Sequence, residues 1–214
     1  MHILLCAATG FEIEPLNQWL KRHKNYSVEI LITGIGLVSA TYHLTKAVSK
    51  RKPGMLIMAG IAGSFDPSIQ MGEVRSIRHE MLGDMGVEEL GKFNSLFAMK
   101  LMDHDHFPFS QGRLTANQDI LNKAGLMIAD GITVNEISTS VKRREYYSNE
   151  LGAAIESMEG AALHFVGLME DIPFLQLRAI SNTVGERDKN NWNMKEAIIN
   201  LNDEAINQVK IFSK

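Results

Sequence analysis

The sequence contains one cysteine, Cys6, in 214 residues, so no disulfide can form within a chain. A reducing, cytoplasmic setting is the simplest expectation. Cys6 lies in the apolar run Ile3 to Ala7 and reads as a small core residue. Long apolar runs are also missing: none approaches the roughly 20 residues needed to cross a bilayer, so no membrane partner is expected. Met1-His2-Ile3-Leu4-Leu5 enters a strand-like run directly, without the basic start and cleavage pattern of a secretory leader. Charge of one sign is scarce as well. The 22 Lys and Arg nearly balance the 25 Asp and Glu, and a net charge of −3 offers no broad attraction for nucleic acid or anionic membrane. No full dinucleotide fingerprint or P-loop occurs, which argues against a nicotinamide or triphosphate site. There is no internal repeat, low-complexity tract or linker, so residues 1–214 are read as one domain.

What is present is an alternation of strand and helix. Ile3 to Ala7 reads as a buried strand, and from Phe11 the period changes so that Ile13, Leu16 and Leu20 share a helical face. Val28 to Thr33 is strand-like. Gly34-Ile35-Gly36 is a turn, and Leu37, Ala40, Leu44 and Val48 mark a second amphipathic helix. Met55 to Ala59 reads as a strand ending in a small-residue turn, Gly60-Ile61-Ala62-Gly63. Segment 72–82 suits a longer strand with a polar face, 83–120 reads as irregular, and 125–137 as a strand region. Further along, the pattern predicts a short helix over 141–148, a strand over 153–157, a helix over 160–169 and a buried strand over 174–180. A polar loop over 181–191 precedes a final helix from about Trp192. Such alternation predicts an α/β fold with helices covering a sheet, and ligands in such folds sit beyond the strand ends.

Several polar residues fall at those ends. Thr9-Gly10-Phe11-Glu12 has two readings: a capping box in which Thr9 and Glu12 satisfy each other's backbone donors, or a crevice carboxylate able to activate a water. Glu159, near a helix start, is either a carboxylate favoured by the helix dipole or an acceptor for ligand hydroxyls, with Met158 as an apolar neighbour. Arg178 interrupts the apolar run 174–180, and a buried arginine demands a carboxylate partner. Asn182 is a turn residue or a side-chain amide able to donate and accept at once, which suits the polar edge of an oxopurine. Asp103-His104-Asp105-His106 has the look of metal ligands, but no third ligand is specified and a solvated loop is the simpler reading. Lys142-Arg143-Arg144 reads as a solvated helix face, or as attraction for an anionic substrate.

Taken in order, Ala7-Ala8-Thr9 with Glu12, Gly34-Ile35-Gly36, Gly60-Ile61-Ala62-Gly63, Gly83-Asp84-Met85-Gly86-Val87-Glu88, Thr133-Val134-Asn135, Glu156-Ser157-Met158-Glu159-Gly160-Ala161-Ala162 and Arg178-Ala179-Ile180-Ser181-Asn182 resemble the purine nucleoside phosphorylase and nucleosidase superfamily. The continuation Thr183-Val184-Gly185-Glu186-Arg187-Asp188, with Trp192, is most similar to its futalosine hydrolase branch, an enzyme class of menaquinone biosynthesis. The resemblance covers nearly the whole chain. It implies a three-layer α/β fold with a mixed, partly barrel-like central sheet flanked by helices, a homodimer or larger homo-oligomer, and neither metal nor organic cofactor. It also implies a small-molecule nucleoside substrate: water would cleave futalosine to hypoxanthine and dehypoxanthine futalosine.

On this resemblance, Glu12 activates the water, Glu159 anchors the ribose, and Asn182 receives the base. Ile61, Ala62, Gly63, Ile137, Met158, Arg178 and Ser181 complete the substrate site. The segment Thr133 to Ile137 is expected against the purine, and Arg178 is expected to hold the nearby carboxylate. Two departures from relatives narrow the reading. Methylthioadenosine/S-adenosylhomocysteine nucleosidases carry an aspartate where this chain has Asn182, and general-acid help is worth about 10²–10⁴-fold. Hexameric phosphorylases carry a phosphate-binding arginine before the Gly-x-x-Gly segment, where this chain has Ile57-Met58-Ala59. Such a methylthioadenosine/S-adenosylhomocysteine nucleosidase and a non-catalytic nucleoside-binding protein are the alternatives.

Overall fold

The structure, a computed structural model, describes residues 1–214. Its strands are β1 (Ile3–Ala7), β2 (Val28–Ile32), β3 (Met55–Ser64), β4 (Val74–Leu82), β5 (Gly86–Glu89), β6 (Lys92–Ser95), β7 (Leu114–Thr115), β8 (Ile128–Thr133), β9 (Ile155–Ser157) and β10 (Phe174–Thr183). The helices are α1 (Glu14–Arg22), α2 (Leu37–Lys50), α3 (Gln118–Ala124), α4 (Val141–Glu145), α5 (Gly160–Met169) and α6 (Met194–Phe212). A single π-helical turn, Tyr146–Glu150, continues α4. No helix is long and apolar enough to cross a membrane.

β3 is the hinge of the sheet. Its first half runs parallel to β1, its whole outer length runs parallel to β10, and its last residues meet β9 antiparallel. β10 continues to β4, β4 to β8 and β8 to β9, so five strands close on themselves as a mixed barrel. β1 and β2 extend from β3 as a parallel wing. β1 is buried at every position, as expected for an interior parallel strand covered on both faces. α2 packs on α5, while α1 and α3 pack on α6, giving the helical layers around the sheet. The largest apolar cluster, 31 buried residues, joins β1, β3 and β10 to these helices. The expected three-layer α/β architecture with a partly barrel-like mixed sheet is what the chain forms.

Four local expectations change. Gly60 to Gly63 is not a turn: β3 runs straight through it to Ser64, and neither glycine has positive φ. The small residues serve close packing instead, because a Cβ on Gly60 would lie 2.5 Å from Arg178 Nη1. α1 starts at Glu14 rather than Phe11, with Pro15 in its first turn, and Phe11 is left exposed. The irregular segment 83–120 contains the β5–β6 hairpin, β7 and the start of α3, capped by Asn117. Finally, β10 continues past Ile180 to Thr183 with a bulge at Ser181, since Ile180 pairs with Ala62 and Asn182 with Gly63.

Candidate active site

A cavity of about 460 Å³ opens where β1, β3, β9 and β10 end. This lies within the size range of small-ligand sites. Glu12, Ile61, Ala62, Gly63, Ile137, Met158, Glu159, Ser181 and Asn182 all line it, while Arg178 lies directly behind its wall. Another cavity of about 460 Å³ lies beside the β5–β6 hairpin, lined by Phe93, Phe97 and Tyr146. That second cavity holds no comparable set of buried carboxylates.

At one end of the first cavity sit two fixed carboxylates. Glu12 Oε2 accepts from Thr9 N–H at 3.0 Å and from the Thr9 hydroxyl at 2.9 Å, and Oε1 accepts from Ile61 N–H at 3.1 Å. The capping reading is therefore half right: the carboxylate takes the Thr9 donors, but the Thr9 hydroxyl turns to that carboxylate and no helix begins there. Asn202 of α6 adds a brace, donating to the Glu12 carbonyl at 2.8 Å and accepting from Leu16 N–H at 2.9 Å. Glu159 stands at the N-cap position of α5 but makes no capping bond. Its Oε1 accepts from Gly36 N–H at 3.0 Å, and its Oε2 faces Arg178 Nη1 at 3.5 Å.

Arg178 is 2% exposed, and Glu159 provides the carboxylate that its burial requires. Its guanidinium also reaches the Ile61 carbonyl at 3.4 Å. Ile61 thus receives Glu12 on its N–H and Arg178 on its C=O, which ties the two carboxylates to one peptide of β3. Below them, Glu80 is fully buried. Its Oε1 accepts from the Thr133 hydroxyl at 2.8 Å, and that hydroxyl accepts from Ala161 N–H at 2.8 Å, holding the first turn of α5. Burial pushes the Glu80 carboxyl up to about 7, against the pull of Arg178 and Thr133.

The other end carries the amide. The bulge at Ser181 turns two successive polar side chains toward the cavity, a common use of bulges beside active sites. Asn182 Oδ1 accepts from the Ser181 hydroxyl at 2.8 Å, and Nδ2 donates to the Thr183 carbonyl at 2.9 Å. Gly63, its register partner, is closely packed: a Cβ there would lie 2.9 Å from Val184 and 3.3 Å from Asn182 Nδ2. Arg144 donates to the Val184 carbonyl at 3.0 Å, bracing the loop that follows β10. Lys142-Arg143-Arg144 is therefore more than a solvated face, since Arg143 also pairs with Glu88 and lies 4.1 Å over the Phe93 ring.

Glu156 of β9 lines the same end and is 7% exposed. Its Oε1 accepts from Ser138 N–H at 3.2 Å, and its Oε2 has no partner. Burial raises its carboxyl above the ordinary range, with Ser138 drawing it back. The sequence reading passed over Glu156 as part of a motif; a carboxylate directly after the apolar run Ala153-Ala154-Ile155 was the available signal. It also missed Phe11, Ile35, Val184, Arg187 and Trp192 on the cavity wall. Of the segment Thr133 to Ile137, only Ile137 reaches the cavity. Thr133 is engaged with Glu80, and Asn135 with Asp84.

Cys6 is a core residue, with its thiol pushed up to about 12 by burial. Asp103, His104 and Asp105 do cluster, all exposed, but their carboxylates cap a turn: Asp103 accepts from Asp105 N–H at 3.0 Å and Asp105 from Gln111 N–H at 2.8 Å. His106 closes that turn through its backbone N–H rather than joining the group.

The barrel, with paired acids at one end of a strand-end cavity and an amide at the other, defines an α/β protein built around a small polar ligand. Residues 12–213 match the family described as the Phosphorylase superfamily, and the chain belongs to it. The futalosine hydrolase of Thermus thermophilus is 31% identical over 78% of this chain and 75% of its own length. That of Streptomyces coelicolor is 26% identical over 82% of this chain and 75% of its own. The 5′-methylthioadenosine/S-adenosylhomocysteine nucleosidase of Helicobacter pylori shares the fold, with a TM-score of 0.81 at 18% identity and 98% of both chains covered.

Proposed function

We propose that this chain is an N-glycosyl hydrolase that cleaves futalosine to hypoxanthine and dehypoxanthine futalosine, in menaquinone biosynthesis, through a single domain spanning 1–214. The observation that carries this reading is the convergence of Glu12, Glu159 and Asn182 on one cavity. The similarity to two futalosine hydrolases supports the choice of substrate.

Cleavage builds positive charge on the ribose and negative charge on the departing base, and both need preorganised partners. Glu12, held by three donors on Thr9 and Ile61, orients a water and takes its proton as the water oxygen bonds the anomeric carbon. The glycosidic C–N bond breaks, its electron pair leaves with the base, and a ring nitrogen of the base takes a proton from solvent. Glu159 holds the ribose hydroxyls and offsets the cationic sugar. Arg178 is a positioning residue, since it touches Glu159 and the Ile61 carbonyl rather than the cavity. Met158 and Ile61 offer apolar contact to the sugar. Asn182, set by Ser181, bonds the base carbonyl and ring nitrogen.

Water rather than phosphate is the nucleophile in this reading. Ile57, Met58 and Ala59 are core residues on β3, and Arg178 is already paired with Glu159. A phosphate dianion would find no free cation on β3, and the cavity's lining arginine, Arg187, stands on the loop after β10 instead. The assembly we propose is a homodimer or larger, acting in the cytoplasm. Phe11, Ile35, Val38 and Tyr42 present exposed apolar surface next to the cavity mouth, and a second copy would cover it.

Incubation with futalosine, inosine and methylthioadenosine, with the free base read by chromatography, tests the assignment. Hypoxanthine from futalosine is expected. Adenine from methylthioadenosine as the main product would make this a methylthioadenosine nucleosidase, and binding without release would make it a nucleoside-binding protein.

A further inference from the structure

Resting on the nucleosidase reading, we propose that Arg187, seated on Trp192, binds the carboxylate of an aromatic acid carried on the sugar of the nucleoside, and so favours substrates with that arm over neutral ones. Four carboxylates line the cavity, those of Glu12, Glu156, Glu159 and Glu186, and Arg187 is its one lining cation. Acids suit a sugar that becomes cationic. They repel an anionic group on the same ligand, which needs a cation elsewhere on the wall.

The guanidinium is available for that task. Arg187 is exposed and takes part in none of the chain's ion pairs. The two acids beside it in sequence are engaged by the loop itself. Glu186 accepts from Asp188 N–H at 2.7 Å and from the Asn191 amide at 2.8 Å, and Asp188 accepts from Asn190 N–H at 3.0 Å. Arg187 lies instead over the Trp192 ring, 5.9 Å from its centroid. That ring is fixed by its own N–H, which donates to the Glu186 carbonyl at 3.1 Å. The next residue ties the loop to β10, with Asn193 N–H donating to the Ser181 carbonyl at 2.8 Å. Contact with a ring uses the face of a guanidinium and leaves its N–H fork for a carboxylate.

The rest of the lining says what carries that carboxylate. The strand ends hold the acids and the amide, while the exposed and half-buried lining includes Phe11, Ile35, Trp192 and Met194. A flat apolar body with a negative charge at its far end matches both the apolar lining and the guanidinium. An inorganic anion would leave the apolar lining unused, and a dianion between Glu12 and Glu159 would be repelled. Futalosine carries a carboxylated aromatic arm of this kind, whereas inosine and methylthioadenosine have none.

The test is a cycle of two proteins and two ligands: wild type and Arg187→Gln, each with futalosine and with its carboxylate methyl ester. KM and equilibrium binding are read for all four pairs. The wild type is expected to favour the acid by about 5–20-fold, more than a fully hydrated ion pair gives and less than a buried one. In R187Q that ratio should fall to near one, and Arg187→Lys, with the charge but not the fork, should fall between. Raised ionic strength should narrow the wild-type ratio as well. Equal affinity of the wild type for acid and ester, or the same ratio in R187Q as in the wild type, overturns the role of Arg187 while base release by the wild type stands. Base release that phosphate accelerates in the wild type and not in R187Q would assign the guanidinium to a phosphate nucleophile and overturn that role too. A wild type that releases no base overturns the nucleosidase reading, and the binding ratio of acid to ester still decides the role of Arg187.

Discussion

At the end of the cavity proposed for the sugar, Glu12 is held by its neighbour Thr9 and by Ile61 on β3, with Asn202 of α6 on its backbone, and Glu159 is held by Gly36 before α2 and Arg178 on β10. At the end proposed for the base, Asn182 is held by its own neighbours Ser181 and Thr183, and Glu156 keeps an oxygen without a partner. At the first end both carboxylates have partners for both of their oxygens, while at the second one buried carboxylate oxygen has none. Preorganised charge belongs where the transition state differs most from the substrate, and open hydrogen-bonding capacity belongs where substrates are told apart.

Changing one end at a time sharpens that contrast. Glu12→Gln strikes the sugar end and should lower kcat for futalosine by about 10²–10⁴-fold while leaving its binding nearly intact; equilibrium binding beside steady-state turnover separates the two. Asn182→Asp strikes the base end and should move preference toward adenine nucleosides by tenfold or more, with competing substrates assayed in one vessel. If Asn182→Asp instead lowers all substrates equally, the base end is as fixed as the sugar end and the contrast is lost.

Glu80, buried behind the first turn of α5, gives a smaller, pH-dependent effect. Glu80 has a folded value raised to about 7 from 4.5, so its contribution to stability is full below about 4.5 and is lost as pH rises through about 7. Glu80→Gln should therefore be more stable than the wild type by about 1–3 kcal/mol at pH 8, taking roughly 1.4 kcal/mol per pKa unit as the ceiling. The difference should vanish near pH 4, as read by denaturant unfolding at the two pH values. The smallest effect belongs to Arg144→Ala, which frees the Val184 carbonyl. Loss of one hydrogen bond, about 1 kcal/mol, should raise KM several-fold with kcat little changed.

The legible parts of the chain were those governed by local pattern. The β1 run of five apolar residues and the Ala40, Leu44, Val48 stripe of α2 are buried as the periodicity requires. Arg178 in an apolar strand announced its carboxylate partner, because an unpaired guanidinium could not be buried. Gly60 to Gly63 misled, because glycine permits both a turn and a close approach, and only the guanidinium packed against Gly60 decides between them. Glu156 stayed hidden for a related reason: its partner Ser138 lies 18 residues away, and only the strand register puts it opposite Gly63. The β5–β6 hairpin has short strands with half-exposed residues, so no strong alternation marked it.

The central claim is that water attacks the anomeric carbon between two fixed acids. The most direct measurement is the identity of the sugar product formed from futalosine with and without a large excess of phosphate. The account predicts dehypoxanthine futalosine with a free anomeric hydroxyl, and a rate indifferent to phosphate. A sugar phosphorylated at the anomeric position, formed at a rate that rises with phosphate, would contradict it.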